Sequence, residues 1–223
     1  MSLSTNAATS EPLVRFARKL SHDLNNFSTV VRTYSELLLS DLPEDSGTHA
    51  DVAEIQRAAE NMVQYLQRVT LFARAGSMKR TSVNVDAVAL ETADQFRSRT
   101  PSRLLDTRVS SGTTIQADAI WWRDVLLELL QNAHEAAPVG TPIVLEISRD
   151  QNEVVVSVID QGPGFDEAIL LQASEPLVTG KTGVRGAGIG LALVSAFTGT
   201  LGGSLDQSRE NGRTSVTVRL PAE

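Results

Sequence analysis

Three stretches of this chain carry residue types that can do chemistry together. His22 and Asp23 stand side by side, and Asn26 follows one helical turn later, in His22-Asp23-Leu24-Asn25-Asn26. A neutral imidazole nitrogen has a free lone pair and can take up a phosphoryl group. Asp23 can accept a proton or hold the ring's tautomer. Asn26, on the same helix face as His22, can orient a phosphoryl group or a water. Glu128 and Asn132 are likewise four residues apart and share one helix face. The Asn132 side-chain carbonyl is a hard oxygen suited to a Mg2+ ion that bridges phosphates.

Asp160 closes an apolar run, Val154–Ile159, and Gly162-Pro163-Gly164 follows it. A glycine turn lets backbone approach a ligand closely, and a carboxylate at a strand end can accept a hydrogen bond from an exocyclic amine such as adenine N6. Gly186-Ala187-Gly188-Ile189-Gly190-Leu191 opens a helical stretch, where free amides and the helix N-terminus favour phosphate. It lacks the dinucleotide spacing, because no acidic strand end follows at the required distance. Thr179-Gly180-Lys181-Thr182 lacks the earlier glycine of a P-loop. Singly, each signal is ordinary: an exposed histidine before aspartate is usually solvated, and Asp beside a Gly-rich turn is usually turn chemistry. Their weight comes from standing in this order in one chain.

The elements that must position these residues fall into two periodicities. Leu13, Phe16, Leu20, Leu24, Phe27, Val31, Tyr34 and Leu38 recur at steps of three and four, a helical stripe close to a heptad. Ser10 is the expected N-cap, with Pro12 in the first turn. Asp41 to Gly47 is turn chemistry. A second stripe runs Val52, Ile55, Ala59, Met62, Leu66, Val69, Ala73, with Thr48 and Asp51 as its expected capping pair. Residues 11–75 therefore read as a helical hairpin. Two such arms cannot dry both stripes alone, so pairing into a homodimeric four-helix bundle is expected; packing of the hairpin on the rest of its own chain is the alternative.

Beyond a linker at 76–81, residues 82–223 change character. Short β-like runs are expected at 82–85, 104–109, 143–148, 154–159 and 214–220, with helices near 88–97, 119–136 and 187–199. Strands mixed with helices indicate an α+β sandwich, a sheet covered on one face.

Bulk properties narrow the partners. The 223 residues carry a formal charge of −7, which argues against nucleic acid or an anionic membrane as the main partner. No cysteine is present, which excludes disulfides and thiolate metal sites and suits a reducing cytoplasm. No apolar run approaches the ~20 residues that span a bilayer. A cytoplasmic chain without membrane contact of its own is expected.

Together these motifs resemble the catalytic core of a two-component sensor histidine kinase. His22 to Asn26 resembles that family's H box, Leu129-Leu130-Gln131-Asn132-Ala133 its N box, and Asp160-x-Gly-x-Gly its first glycine box. Glu175-Pro176-Leu177-Val178-Thr179-Gly180-Lys181 resembles the lid segment, Gly186 to Leu191 the second glycine box, and Leu201-Gly202-Gly203 with Gly212-Arg213-Thr214 the closing hairpin. The resemblance covers residues 12–221. It implies a dimerising phosphotransfer hairpin followed by an α/β sandwich of the histidine kinase/gyrase (Bergerat) type. His22 would be the phosphoacceptor, Asp23 its activator and Asn26 a helper in transfer or dephosphorylation. Asn132 would hold Mg2+ and Asp160 would read adenine. Gly162 and Gly164 would line the base pocket, and Thr214 would sit beneath the base. Lys181 and the amides of Gly186, Gly188 and Gly190, with Leu191 beside them, would meet the phosphates of ATP.

The chain departs from the family's pattern in three places. Leu177-Val178 replaces the usual lid aromatics, His134-Glu135 stands where a Lys often holds phosphates, and Glu128 stands where Asn is common. Glu-x-x-x-Asn also resembles the wider ATPase superfamily, in which that Glu activates water. The implied activity is a protein-histidine kinase passing its phosphoryl group to the Asp of a response-regulator receiver domain, with sensing supplied by a segment or partner outside this chain. The rivals are a histidine phosphotransferase with a non-catalytic ATP domain and a serine kinase acting on another protein.

Overall fold

A computed structural model describes residues 7–73, 79–110, 112–164 and 190–223. The chain divides into two compact units, the first built on two helices and the second on the remaining elements.

In the first unit α1 (Ala7–Asp41) packs against α2 (Gly47–Ala73). On α2 the seam lies on the expected apolar stripe, but on α1 it does not. Among the side chains described, the buried residues on α1 are Ser21, Ser28 and Ser35, one every seven, and on α2 they are Val52, Ala59 and Leu66, again one every seven. Small hydroxyl side chains let the two backbones approach, and Ser21 Oγ donates across the seam to Leu66 O at 3.2 Å. Phe16, Leu20, Phe27, Val31, Tyr34 and Leu38 stay exposed, as do Ile55 and Met62 of α2.

Both expected helix starts need correcting. α1 begins at Ala7, so Ser10 and Pro12 lie inside it; alanines at the start carry the highest helix propensity and extend it past the proline. The cap of α2 is Ser46, whose Oγ accepts from His49 N at 3.1 Å. A capping hydroxyl must stand one residue before the helix to reach its third amide, and Thr48 is already inside.

The second unit runs β1 (Thr81–Asn84), α3 (Val85–Arg99), β2 (Leu105–Val109), β3 (Thr114–Ala117), α4 (Ala119–Ala136), β4 (Ile143–Asp150), β5 (Glu153–Asp160), α5 (Gly190–Thr200), β6 (Ser204–Glu210) and β7 (Arg213–Pro221). β1 takes in Thr81, the last residue of the expected linker. A five-stranded sheet has the order β2-β4-β5-β7-β6, parallel between β2 and β4 and antiparallel elsewhere, and β1 pairs with β3 in a separate two-stranded sheet. Strict alternation makes one sheet face apolar: Ile143, Leu145 and Ile147, Val154, Val156 and Val158, Val216, Val218 and Leu220 are all buried. Helices cover that face, as expected of an α/β sandwich. Phe197 of α5 stacks with both Trp121 and Trp122 of α4, ring centres 5.6 and 5.8 Å apart. This joins the two helices that border the candidate site.

Two strands escaped the sequence reading. β3 is four residues long, and β6 is a polar edge strand. The signal for β6 was Asn211-Gly212, a two-residue turn in which both residues have positive φ, 52° and 75°, as a hairpin of this length prefers.

Candidate functional site

Asp118 starts α4 by accepting from the amides of Ile120 and Trp121, at 3.0 and 3.3 Å. That cap sets the rotation of the helix. Trp121, Trp122, Val125, Leu126, Leu129, Leu130 and Ala133 are buried, and Glu128 and Asn132 come out half-buried on one flank. The first residue of α5 stands directly over them. A Cβ on Gly190 would fall 2.9 Å from Glu128 Oε2 and 3.3 Å from Asn132 Nδ2. Asn132 Nδ2 is itself buried with no hydrogen-bond partner. Such an amide costs stability unless a ligand or water completes it.

Asp160 ends β5 and is only 4% exposed. The chain folds back at once, and Gly162 N donates to Asp160 Oδ1 at 2.5 Å. Burial raises the Asp160 carboxyl above the ordinary aspartate value, while the Gly162 amide and the charge of Arg103 pull it down. Thr214, opposite Asp160 in the β5–β7 register, donates its hydroxyl to Gly162 O at 3.2 Å. Gly164 has φ 77°, and a Cβ there would meet Arg209 Cδ at 3.0 Å and Thr214 Oγ1 at 3.3 Å. Only glycine fits both the conformation and the space. Asp160, Gly162, Gly164 and Thr214 are thus gathered at one end of the sheet.

His22, Asp23 and Asn26 lie on α1. The His22 side chain is 73% exposed, its Nδ1 sits 3.3 Å from Asp23 Oδ1, and Lys19 Nζ lies 3.8 Å from Asp23 Oδ2. Asn26 is exposed one turn on. Gly190 and Leu191 form the first turn of α5; Lys181, Gly186 and Gly188, with the lid segment at 175–181, lie outside the described residues.

Arg103 and Arg209 also border the site but are not marked by the sequence. Arg209 pairs in register with Thr214 and packs on Gly164. Neither arginine falls in a motif, so no local signal marked it.

Fold and site together define a class: a helical segment with an exposed histidine, followed by an α/β sandwich with a buried Asp and a glycine turn at one sheet end and an unpartnered Asn beneath the first residue of α5. Residues 117–223 match the family of histidine kinase-, DNA gyrase B- and HSP90-like ATPases. Sensor protein BasS of Escherichia coli is 29% identical across 92% of this chain and 57% of that protein. The probable sensor histidine kinase TcrY of Mycobacterium tuberculosis is 28% identical across 99% of this chain and 48% of its own length. Full-length ShkA, solved in complex with AMPPNP, has the same fold at a TM-score of 0.69 and 24% identity, covering 95% of this chain and 46% of that one. These matches support a histidine kinase catalytic core. The chain spans about half the length of the curated relatives it matches.

Proposed function

We propose that this chain is the catalytic core of a two-component protein-histidine kinase that transfers the γ-phosphoryl group of ATP to His22. The observation that carries the reading is the pairing of two buried polar groups at the rim of the second unit. Asp160 is a carboxylate next to a turn too tight for a side chain, suited to an adenine amine. Asn132 Nδ2 has no partner beneath Gly190, which suits a phosphate or metal-bound group. Bound Mg-ATP would supply the phosphoryl group and the charge neutralisation its transfer needs. Asn132 would hold the ion through its carbonyl, Gly162 and Gly164 would line the base, and Thr214 would support it from β7. Lys181 and the amides of Gly186, Gly188 and Gly190, beside Leu191, would serve the phosphates.

On α1, the contact with Asp23 at Nδ1 supports a ring whose Nε2 carries the lone pair for attack, with Asp23 taking up the displaced proton and Asn26 assisting transfer or dephosphorylation. The exposed stripe of α1, with Phe27 at 65% and Tyr34 at 64% exposure, supports a homodimer through residues 11–75. The second acceptor would be a receiver-domain Asp of a response regulator, and sensing would come from a segment or partner outside this chain. A cytoplasmic location fits ATP as substrate, and among the described residues no helix is long and apolar enough to cross a membrane.

The test is acid-labile phosphorylation from labelled ATP in the unaltered chain and in His22→Gln. Label that survives the substitution removes His22 from its role, and label obtained only from a phosphorylated regulator would leave a phosphotransferase. Glu128 supports a second activity, since its carboxylate shares one site with Asn132 beneath Gly190: slow hydrolysis of ATP by activated water. A His22→Ala variant should keep that hydrolysis and Glu128→Ala should abolish it. Hydrolysis retained in the double variant excludes Glu128 as the base.

A further inference from the structure

The end of a helix leaves its last carbonyls without intrahelical partners. At the end of α4 one side chain from outside the helix meets one of them, together with the carbonyls of the cap and the turn that follows. Arg103, in the turn between α3 and β2, donates through Nη2 to His134 O at 3.1 Å and Ala137 O at 3.2 Å. Through Nη1 it donates to Pro138 O at 2.8 Å and Thr141 O at 3.2 Å. Its Nε donates to His134 Nδ1 at 3.0 Å. A guanidinium has five N–H donors, and these five bonds use them all. Arg103 therefore has no donor left for a ligand; its hydrogen bonds reach the site only through the end of α4.

The clamped helix end is also a wall of the candidate base pocket. A Cβ on Gly162 would fall 2.9 Å from both the carbonyl oxygen and the Cβ of Ala136. The Gly162 amide in turn holds Asp160 Oδ1. His134 is wedged from the other side, its ring edge-on to Phe96 of α3 with centres 6.0 Å apart. The contacts run without a gap from Arg103 to the end of α4, to Gly162 and to the Asp160 carboxylate.

We infer that Arg103 is a positioning residue for the adenine-reading group: by locking residues 134–141 it sets where Gly162 and Asp160 stand for the base. The inference rests on the reading of Asp160 as the group that selects adenine. The charge of Arg103 acts on Asp160 in the same sense, favouring the ionised carboxylate that burial disfavours. Lysine cannot replace it, because three donors on one nitrogen cannot span acceptors spread over eight residues of chain.

The experiment is calorimetric binding of ADP and GDP to the full chain as wild type, Arg103→Lys, Arg103→Ala and Asp160→Asn. Circular dichroism checks that each is folded. Arg103→Lys should weaken ADP about tenfold and collapse the preference for ADP over GDP, as Asp160→Asn should. Folded arginine variants that keep both affinity and preference, beside an Asp160→Asn that loses them, overturn the inference and leave the adenine reading standing. Indifference of ADP to Asp160→Asn overturns that reading itself. A fall in thermal stability with an unchanged ADP/GDP ratio makes Arg103 a helix cap only. A readout independent of folding uses the unaltered chain. ADP should shift the 15N resonances of Arg103 Nε and Gly162 N together, and a shift at Gly162 with a silent Arg103 Nε counts against the inference.

Discussion

Asp160 and Thr214 face each other across β5 and β7 and are joined through one intervening residue. Thr214 Oγ1 donates to the carbonyl of Gly162, and the amide of Gly162 donates to Asp160. The turn after β5 is thus held at both ends of a single peptide-bearing residue, with an ionisable group buried on one side and a hydroxyl on the other.

The proposed role of Asp160 in reading adenine predicts a pH dependence of nucleotide binding. Burial raises the Asp160 carboxyl above the ordinary aspartate value, so it takes up a proton at a higher pH than a solvated carboxyl. A protonated Asp160 is a weaker acceptor for an adenine amine, and ADP affinity should fall as pH drops through the raised value. The sign for the unliganded fold is opposite: the folded state binds more protons in that window, so this group's contribution to stability falls as pH rises through it. Affinity measured against pH should show the acid limb in the wild type and lose it in Asp160→Asn.

His134 titrates in the other direction. Burial and the charge of Arg103 lower its pKa from the ordinary 6.5, and its Nδ1 must be unprotonated to accept from Arg103 Nε. The unfolded chain binds the proton first, so stability is full above pH 6.5 and declines as pH falls toward the lowered folded value. Urea midpoints of the chain should drop over that interval, and His134→Phe should flatten the decline.

The serine seam of the first unit separates two kinds of hydroxyl. Ser28 Oγ is buried without a partner, whereas Ser21 Oγ is bonded to Leu66 O and meets Thr70 Oγ1. Removing an unsatisfied buried hydroxyl relieves a desolvation cost, and removing a bonded one forfeits a bond. Ser28→Ala should raise thermal stability by about 1 kcal/mol and Ser21→Ala lower it by a similar amount. Equal effects of one sign would contradict the packing described.

The exposed stripe of α1 makes a prediction about assembly. Phe27→Asp with Tyr34→Asp places charge on the uncovered face without touching the buried serines. Sedimentation should then report a monomer with the helix content of the wild type. A dimer that survives both charges would locate the contact elsewhere.

Much of the second unit was legible locally. The period of α4 gave its bounds to the residue, and β4, β5 and β7 alternated strongly because one sheet face is sealed by helices. Edge strand β6 was not legible because no buried side imposes alternation on it, and β3, although Ile115 and Ala117 are buried, is too short at four residues to show a period. The helical pair misled in a specific way. The α2 half of the seam, Val52, Ala59 and Leu66, lies on its apolar stripe, but the α1 half is Ser21, Ser28 and Ser35, which in sequence look like solvated positions.

The sequence by itself determined which residues are candidates for the proposed chemistry: His22 with Asp23, Glu128 four before Asn132, and Asp160 ahead of its glycines. Such motifs are local, because a helix turn or a tight turn brings their members together within one segment. Tertiary structure alone decided what surrounds them. Arg103 reaches the end of α4 across 31 to 38 residues of chain, Thr214 reaches Gly162 across 52, and Gly190 closes over Glu128 and Asn132 from another helix. A motif is written in backbone periodicity, which is read along the chain. The hydrogen bonds and glycine gaps that hold it in place depend on which elements the buried sheet face brings together.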